Sequence, residues 1–252
     1  MYLIASWGSS GAGKTTVALA AAAALAKRKR EVLVISTDSR TPSLPVFLPT
    51  VDLSPNQSIA ELLTKTEITE AQLKGRIHKH PKSDYIFFCG IASGESATLS
   101  YGPPRREAVR SLIQVLQHSP FDFVMIDCDS NPVLDATSMI ALEWAQFGFC
   151  TLSPDIRGYE YIKAQSKWLG NSDTFRLDNY RKIINGVRPA TPVDAFQNII
   201  GDVTCLLPYA EIIQDKMIAG EPLGGFRQMP AIEFERQINA LVDELEANTI
   251  YA

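Results

Sequence analysis

The chain alternates between short runs rich in β-branched and aromatic residues and longer segments whose apolar residues recur at helical spacing. The short runs, at residues 2–6, 31–36, 84–90, 121–127, 147–152, 180–185 and 203–207, predict strands. Residues 14–29, 105–118, 134–144 and 159–169, a segment after Tyr209, and residues 231–246 predict helices. Val109, Leu112, Ile113 and Leu116 share one helix face, as do Phe234, Ile238, Leu241, Val242 and Leu245, so both stripes are expected to face a core. Strands alternating with helices predict an α/β fold: a three-layer αβα sandwich around a mostly parallel, twisted sheet of about seven or eight strands. One wide sheet makes residues 1–252 a single expected domain. Residues 41–54, with Pro42, Pro45 and Pro49, cannot form a helix interior and are expected to be a long ordered loop. Residues 74–82 are polar and basic, a connection before the third strand.

Composition adds limits. In 252 residues, 46% hydrophobic and 21% charged, the chain can bury a full core. Its net charge of −4 argues against a surface that coats nucleic acid. The longest apolar run, residues 17–26, falls short of the ~20 residues a membrane span needs, and residues 1–7 carry no base for a signal peptide, so a cytoplasmic protein is expected. Cys89, Cys128, Cys150 and Cys205 lie far apart in apolar stretches, the pattern of buried reduced thiols. His78, His80 and His118 sit in polar connections or at a helix end without zinc spacing, and are expected to be solvated.

The chemistry concentrates in Gly8-Ser9-Ser10-Gly11-Ala12-Gly13-Lys14-Thr15, a full GxxxxGK[ST] match between a strand and a helix. Glycines let backbone N–H groups close round a phosphate at the positive end of a helix. Lys14 is expected to reach the β- and γ-phosphates, Thr15 to offer its hydroxyl to Mg2+, and Thr16 to bond the α-phosphate. The run Phe123-Val124-Met125-Ile126-Asp127 supplies the acidic strand end that holds magnesium through water, with a plain turn cap as the competing role for Asp127.

These residues resemble the ParA/MinD-like ATPases, of the SIMIBI class with a deviant Walker A motif. The resemblance covers nearly the whole chain and implies ATP or ADP with Mg2+, an ATP-dependent homodimer, and a nucleotide site including Ser9, Ser10, Gly11, Ala12, Gly13, Lys14, Thr15 and Thr16. Asp38, ending the second strand, matches the family's switch aspartate that positions the attacking water, with a strand-end cap as its other reading. Leu206-Leu207-Pro208-Tyr209 looks like the family's element beside the adenine, and Asn185 is similar to the family's asparagine near the base. The resemblance thus implies Lys14 and Asp38 as the catalytic pair and Asn185, Pro208 and Tyr209 as base contacts, with turn chemistry alone as the other reading of these last three.

One departure stands out. The family's signature lysine, five positions before the P-loop lysine, is Ser9 here, so hydrolysis is expected to be slow. Arg40, Arg105 or Arg106 could supply the missing cation, and Asp129 and Asn131 could sense the γ-phosphate in the second switch. Loss of the lysine resembles the TadZ/CpaE branch, which implies positioning of a tight-adherence pilus or secretion machine, with recruitment to the membrane or cell pole through protein partners. The alternatives are a partition ATPase and a metabolic ligase or kinase on the same fold. Partition by DNA binding would draw on Lys27-Arg28-Lys29-Arg30, a run that a helix C-terminus equally favours, so a DNA partner is not expected. A direct membrane anchor is not expected either: no Lys or Arg follows Arg236, while Asp243, Glu244 and Glu246 are acidic.

Overall fold

The computed structural model describes all residues except 40, 50, 52, 54, 93–101, 171–174, 176–178 and 251–252. The strands are β1 (Tyr2–Gly8), β2 (Val32–Ser36), β3 (His78–Lys79), β4 (Ile86–Gly90), β5 (Phe123–Asp127), β6 (Phe147–Leu152), β7 (Tyr180–Val187) and β8 (Cys205–Pro208). They form a single sheet in the order β3-β4-β2-β5-β1-β6-β7-β8. Every pairing is parallel except that of β3 with β4. The helices are α1 (Lys14–Lys27), α2 (Leu44–Phe47), α3 (Glu70–Lys74), α4 (Arg106–Gln117), α5 (Ala136–Trp144), α6 (Ile156–Leu169), α7 (Val193–Ile200), α8 (Glu211–Ile218) and α9 (Ala231–Ile250).

Side chains of β1 alternate between two cores, Tyr2 and Ile4 on one face of the sheet and Leu3, Ala5 and Trp7 on the other. The first core is closed by α1, α2, α8 and α9, the second by α3 to α7, which gives the three expected layers. The alanines of α1 let that helix lie close to both the sheet and α9, so it is buried over most of its circumference. Both predicted stripes, on α4 and α9, are buried.

Three local expectations are corrected. The loop at residues 41–54 contains a helical turn, α2, because Pro45 sits in the first turn, where its missing N–H costs nothing. Residues 74–82 contain the edge strand β3 rather than a plain connection. His80 is not solvated: pairing of β3 with β4 lays its ring on Phe88 at 5.6 Å, and its Nδ1 accepts from the Lys82 N–H. Burial, and then the Lys82 charge, lowers its pKa. The α7 helix, with an apolar face too short to read, lies between β7 and β8. The four cysteines are buried free thiols.

Three of the four cations in the basic run that closes α1, Lys27, Arg28 and Arg30, are paired inside the chain. Lys27 pairs with Glu235, Arg28 with Asp243 and Glu246 at 2.8 and 2.6 Å, and Arg30 with Glu246 at 3.0 Å. Glu235, Asp243 and Glu246 of α9 thereby clamp the end of α1, while Glu244 pairs with Arg181 and Glu233 with Arg236. Because these pairs lie near the surface, Arg28→Ala is expected to cost only about 1 kcal/mol in urea unfolding, with nucleotide response unchanged. A loss several times larger would show that the clamp carries the docking of α9. Among the described residues, no helix is long and apolar enough to cross a membrane.

Candidate functional site

Strand order assembles the site. Because β5 lies between β1 and β2, with Asp127 in register with Ser6 and Ser36, three loops converge at the carboxyl ends of these strands. They carry the glycine-rich turn after β1, Asp38 after β2, and Asp127 with the segment that follows it. This is where open α/β sheets bind ligands.

The glycine turn has the backbone that its residues permit. Gly11 has φ +72° with open space where a side chain would stand. Gly13 has φ +88°, and a Cβ there would lie 2.4 Å from the Asn185 amide nitrogen. Asn185 itself donates to the Ala12 carbonyl at 2.7 Å, fastening β7 to the turn.

A cavity of about 250 Å³ is lined by Ser10, Gly11, Gly13, Lys14, Thr15, Asp38, Thr41, Ser43, Asp127 and Ser130 among others. Lys14 Nζ donates to Ser130 Oγ at 2.7 Å, and Thr15 Oγ1 donates to Asp127 Oδ2 at 2.7 Å. Asp127 is 1% exposed, and its Oδ1 is buried without a partner. Burial pushes this carboxyl up to about 6; the Thr15 hydrogen bond and the Lys14 charge oppose that rise, and the Asp38 charge adds to it. Two carboxylates facing one cavity, one with an orphaned oxygen beside a threonine hydroxyl, fit a hard divalent cation. Asp38 is oriented by the Thr41 N–H at 2.9 Å and hydroxyl at 2.8 Å.

A second cavity, of about 370 Å³, adjoins the first through Gly11 and Gly13 and is lined also by Thr16, Asp155, Arg157, Asn185, Pro208, Tyr209 and Phe234. Its volume lies within the range of small-ligand pockets. The Arg188 guanidinium covers one face of the Tyr209 ring at 4.2 Å, which fixes that ring at the rim. A larger hollow of about 560 Å³ lies at the other end of the sheet, between α3 and the turn before β5, and shares no residue with the glycine turn.

The structure therefore brings Ser10, Gly11, Ala12, Gly13, Lys14, Thr15, Thr16, Asp38, Asp127, Asn185, Pro208 and Tyr209 to the two cavities or the turn between them. Ser9 is placed otherwise: it is 4% exposed, its Oγ accepts from the Ser153 N–H at 3.2 Å, and its side chain lines neither cavity. Arg105 and Arg106 begin α4 and line neither cavity, and Arg40 lies outside the described residues. Asp129 and Asn131 also leave the cavity to Ser130; Asp129 Oδ1 accepts from the Asn131 N–H. Ser43, Ser130, Asp155, Arg157 and Phe234 are among the lining residues that the sequence did not mark as site members. Only Asp155, an N-cap after a strand, left a local signal.

The fold and the phosphate-binding turn together define a P-loop protein with the three-layer architecture of MinD and ParA ATPases. A family model described as an AAA domain, AAA_31, matches residues 5–163, and the chain belongs to that family. No curated protein sequence matches the chain. Among solved structures, the chain is similar to the septum site-determining protein MinD from Pyrococcus horikoshii OT3 complexed with Mg-ADP, at 20% identity and TM-score 0.73, covering 97% of this chain and 96% of that one. A ParA family ATPase from Chlorobium tepidum TLS is similar at 15% identity and TM-score 0.76, over 97% and 98%. The MinC:MinD cell division complex of Aquifex aeolicus matches at 17% identity and TM-score 0.74, over 98% and 96%.

Proposed function

We propose that this chain, folded as one domain, is an ATP-binding and slowly hydrolysing switch that dimerises with nucleotide and positions a larger assembly. The observation that carries the reading is the Thr15–Asp127 pair beside Lys14, with Asp127 Oδ1 buried and unpartnered. Those groups suit a magnesium-bound triphosphate and have no evident use without one. Thr15 directly, and Asp127 through water, would hold magnesium, which neutralises phosphate charge when bound. Lys14 leaves Ser130 for the phosphates, Asp38 orients the attacking water, and Asn185, Pro208 and Tyr209 border the base. Slow turnover follows from Ser9, a neutral side chain turned into the protein.

A similar protein solved as a complex with MinC supports a protein partner. The replacement of the signature lysine by Ser9 favours the TadZ/CpaE kind of role, at a pilus or secretion machine in the cytoplasm. Partition by DNA binding is disfavoured because Lys27, Arg28 and Arg30 are engaged by α9.

The test is molecular mass by light scattering without nucleotide, with Mg-ADP and with Mg-ATP, using Lys14→Ala as control. Conversion of monomer to dimer by Mg-ATP alone, abolished in Lys14→Ala, is the expected result. A mass indifferent to nucleotide in the native chain would sink the switch, and a phosphorylated small acceptor would replace it with a kinase.

A further inference from the structure

Phosphate chemistry needs positive charge, and the site has little. Among the described residues lining the two adjoining cavities, Lys14 and Arg157 are the cations, against Asp38, Asp127 and Asp155. Ser9 adds none, being held by the Ser153 N–H.

Arg157 stands in the first turn of α6. Its Nε and Nη2 both donate to Asp155 Oδ2, at 2.9 and 2.6 Å, a fork on a single carboxylate oxygen. The arginine side chain is nonetheless 84% exposed, so water competes for this pair and holding it contributes little stability. Asp155 does not depend on it. Its Oδ1 accepts from Ser153 Oγ at 2.8 Å, the Arg157 N–H at 3.0 Å and the Gly158 N–H at 3.1 Å. Burial raises this carboxyl's pKa, but the Arg157 and Ser153 hydrogen bonds and the Gly158 N–H outweigh it and hold the group down at about 2. With the Arg157 guanidinium gone, the three Oδ1 donors, the residue 157 backbone N–H among them, remain and α6 keeps its cap.

Resting on the nucleotide reading above, we propose that Arg157 is the second phosphate-binding cation of the site, latched to Asp155 in the empty protein and transferred to the phosphates of the nucleotide bound to its own chain. The cavity it rims is the one that continues into Gly11, Gly13 and Thr16, so an occupant reaching the glycine turn passes within the sweep of its side chain. The guanidinium fork that now grips one carboxylate suits phosphate oxygens equally. The exchange trades a solvent-screened pair for one with a multiply charged anion at a helix N-terminus. Asp155 is then a competitor, and removing its charge should help binding rather than harm it.

Calorimetric titration of the full chain tests this with Mg-ATP and with adenosine, which lacks phosphates. Arg157→Ala is expected to weaken Mg-ATP by about tenfold and leave adenosine unchanged. Asp155→Asn, which keeps an N-cap side chain, is expected to tighten Mg-ATP by about threefold. The inference falls if Arg157→Ala binds Mg-ATP within twofold of the native chain, if it loses adenosine in equal measure, or if Asp155→Asn weakens Mg-ATP. A native chain that binds no Mg-ATP overturns the nucleotide reading itself and this inference with it, whereas native binding with an indifferent Arg157→Ala overturns the inference alone.

Discussion

Asp127→Asn is expected to make the nucleotide-free protein more stable, by about 2–3 kcal/mol at pH 8. The native carboxyl is buried, has one oxygen unpartnered and is pushed up to about 6, with Asp38 adding to the effect of burial. A carboxyl whose folded pKa is raised favours the fold fully only while protonated, below the unfolded value of about 3.9, and loses that contribution as pH rises through the folded pKa. The contribution of Asp127 to native stability should therefore decline between about pH 4 and pH 6, a decline that the variant, with nothing to ionise at this position, should not share. The Thr15 hydroxyl can still donate to the asparagine carbonyl, so the bond at 2.7 Å is retained. Urea unfolding at pH 4 and pH 8 checks this: near-equal stabilities at the lower pH, and a higher midpoint for the variant at the upper. With Mg-ATP added the order should shift, because ligand that binds only the folded state stabilises it by mass action, and under the magnesium role proposed for Asp127 the variant gains less from it. A variant less stable than the native chain at pH 8 without nucleotide would refute the account of Asp127 as a strained group kept for a cation.

That strain could not be read from the sequence, although the residue could. Asp127 was legible because four apolar residues run straight into an acid, and the glycine turn because its whole chemistry lies in eight consecutive positions. Both signals are local. Ser130 and Ser43 were not legible, since a lone serine in a loop carries no pattern, and only the crossing order of β1, β5 and β2 brings them beside Lys14 and Thr15. His80 was misread for a related reason. Its neighbours Lys79 and Lys82 are charged and Pro81 marks a turn, but the pairing of β3 with β4 along the sheet edge brings the ring of His80, the next residue, inward onto Phe88. Arg157 lies just ahead of the helix expected at residues 159–169 and carries no pattern of its own, and its bearing on the site appears only once the cavity beside the glycine turn has walls.

The α9 helix shows the same limit from the other side, because its apolar stripe was readable as core while one of its residues also borders the second cavity. Phe234 is 1% exposed, meets Phe226 edge-on at 6.5 Å between ring centroids, and lines the cavity shared with Asn185, Pro208 and Tyr209. Leu245, 0% exposed on the same helix, lines only the core. Phe234→Ala is expected to cost about 3–5 kcal/mol and Leu245→Ala about 2–5 kcal/mol, since each removes a large side chain from a close-packed layer. Only Phe234→Ala enlarges the cavity shared with Asn185, Pro208 and Tyr209, letting water in where an apolar ring now stands. Both variants should melt lower than the native chain, but the rise in melting temperature on adding Mg-ATP should shrink in Phe234→Ala and persist in Leu245→Ala. Equal rises in the two would mean that α9 contributes packing to the fold and nothing to the nucleotide.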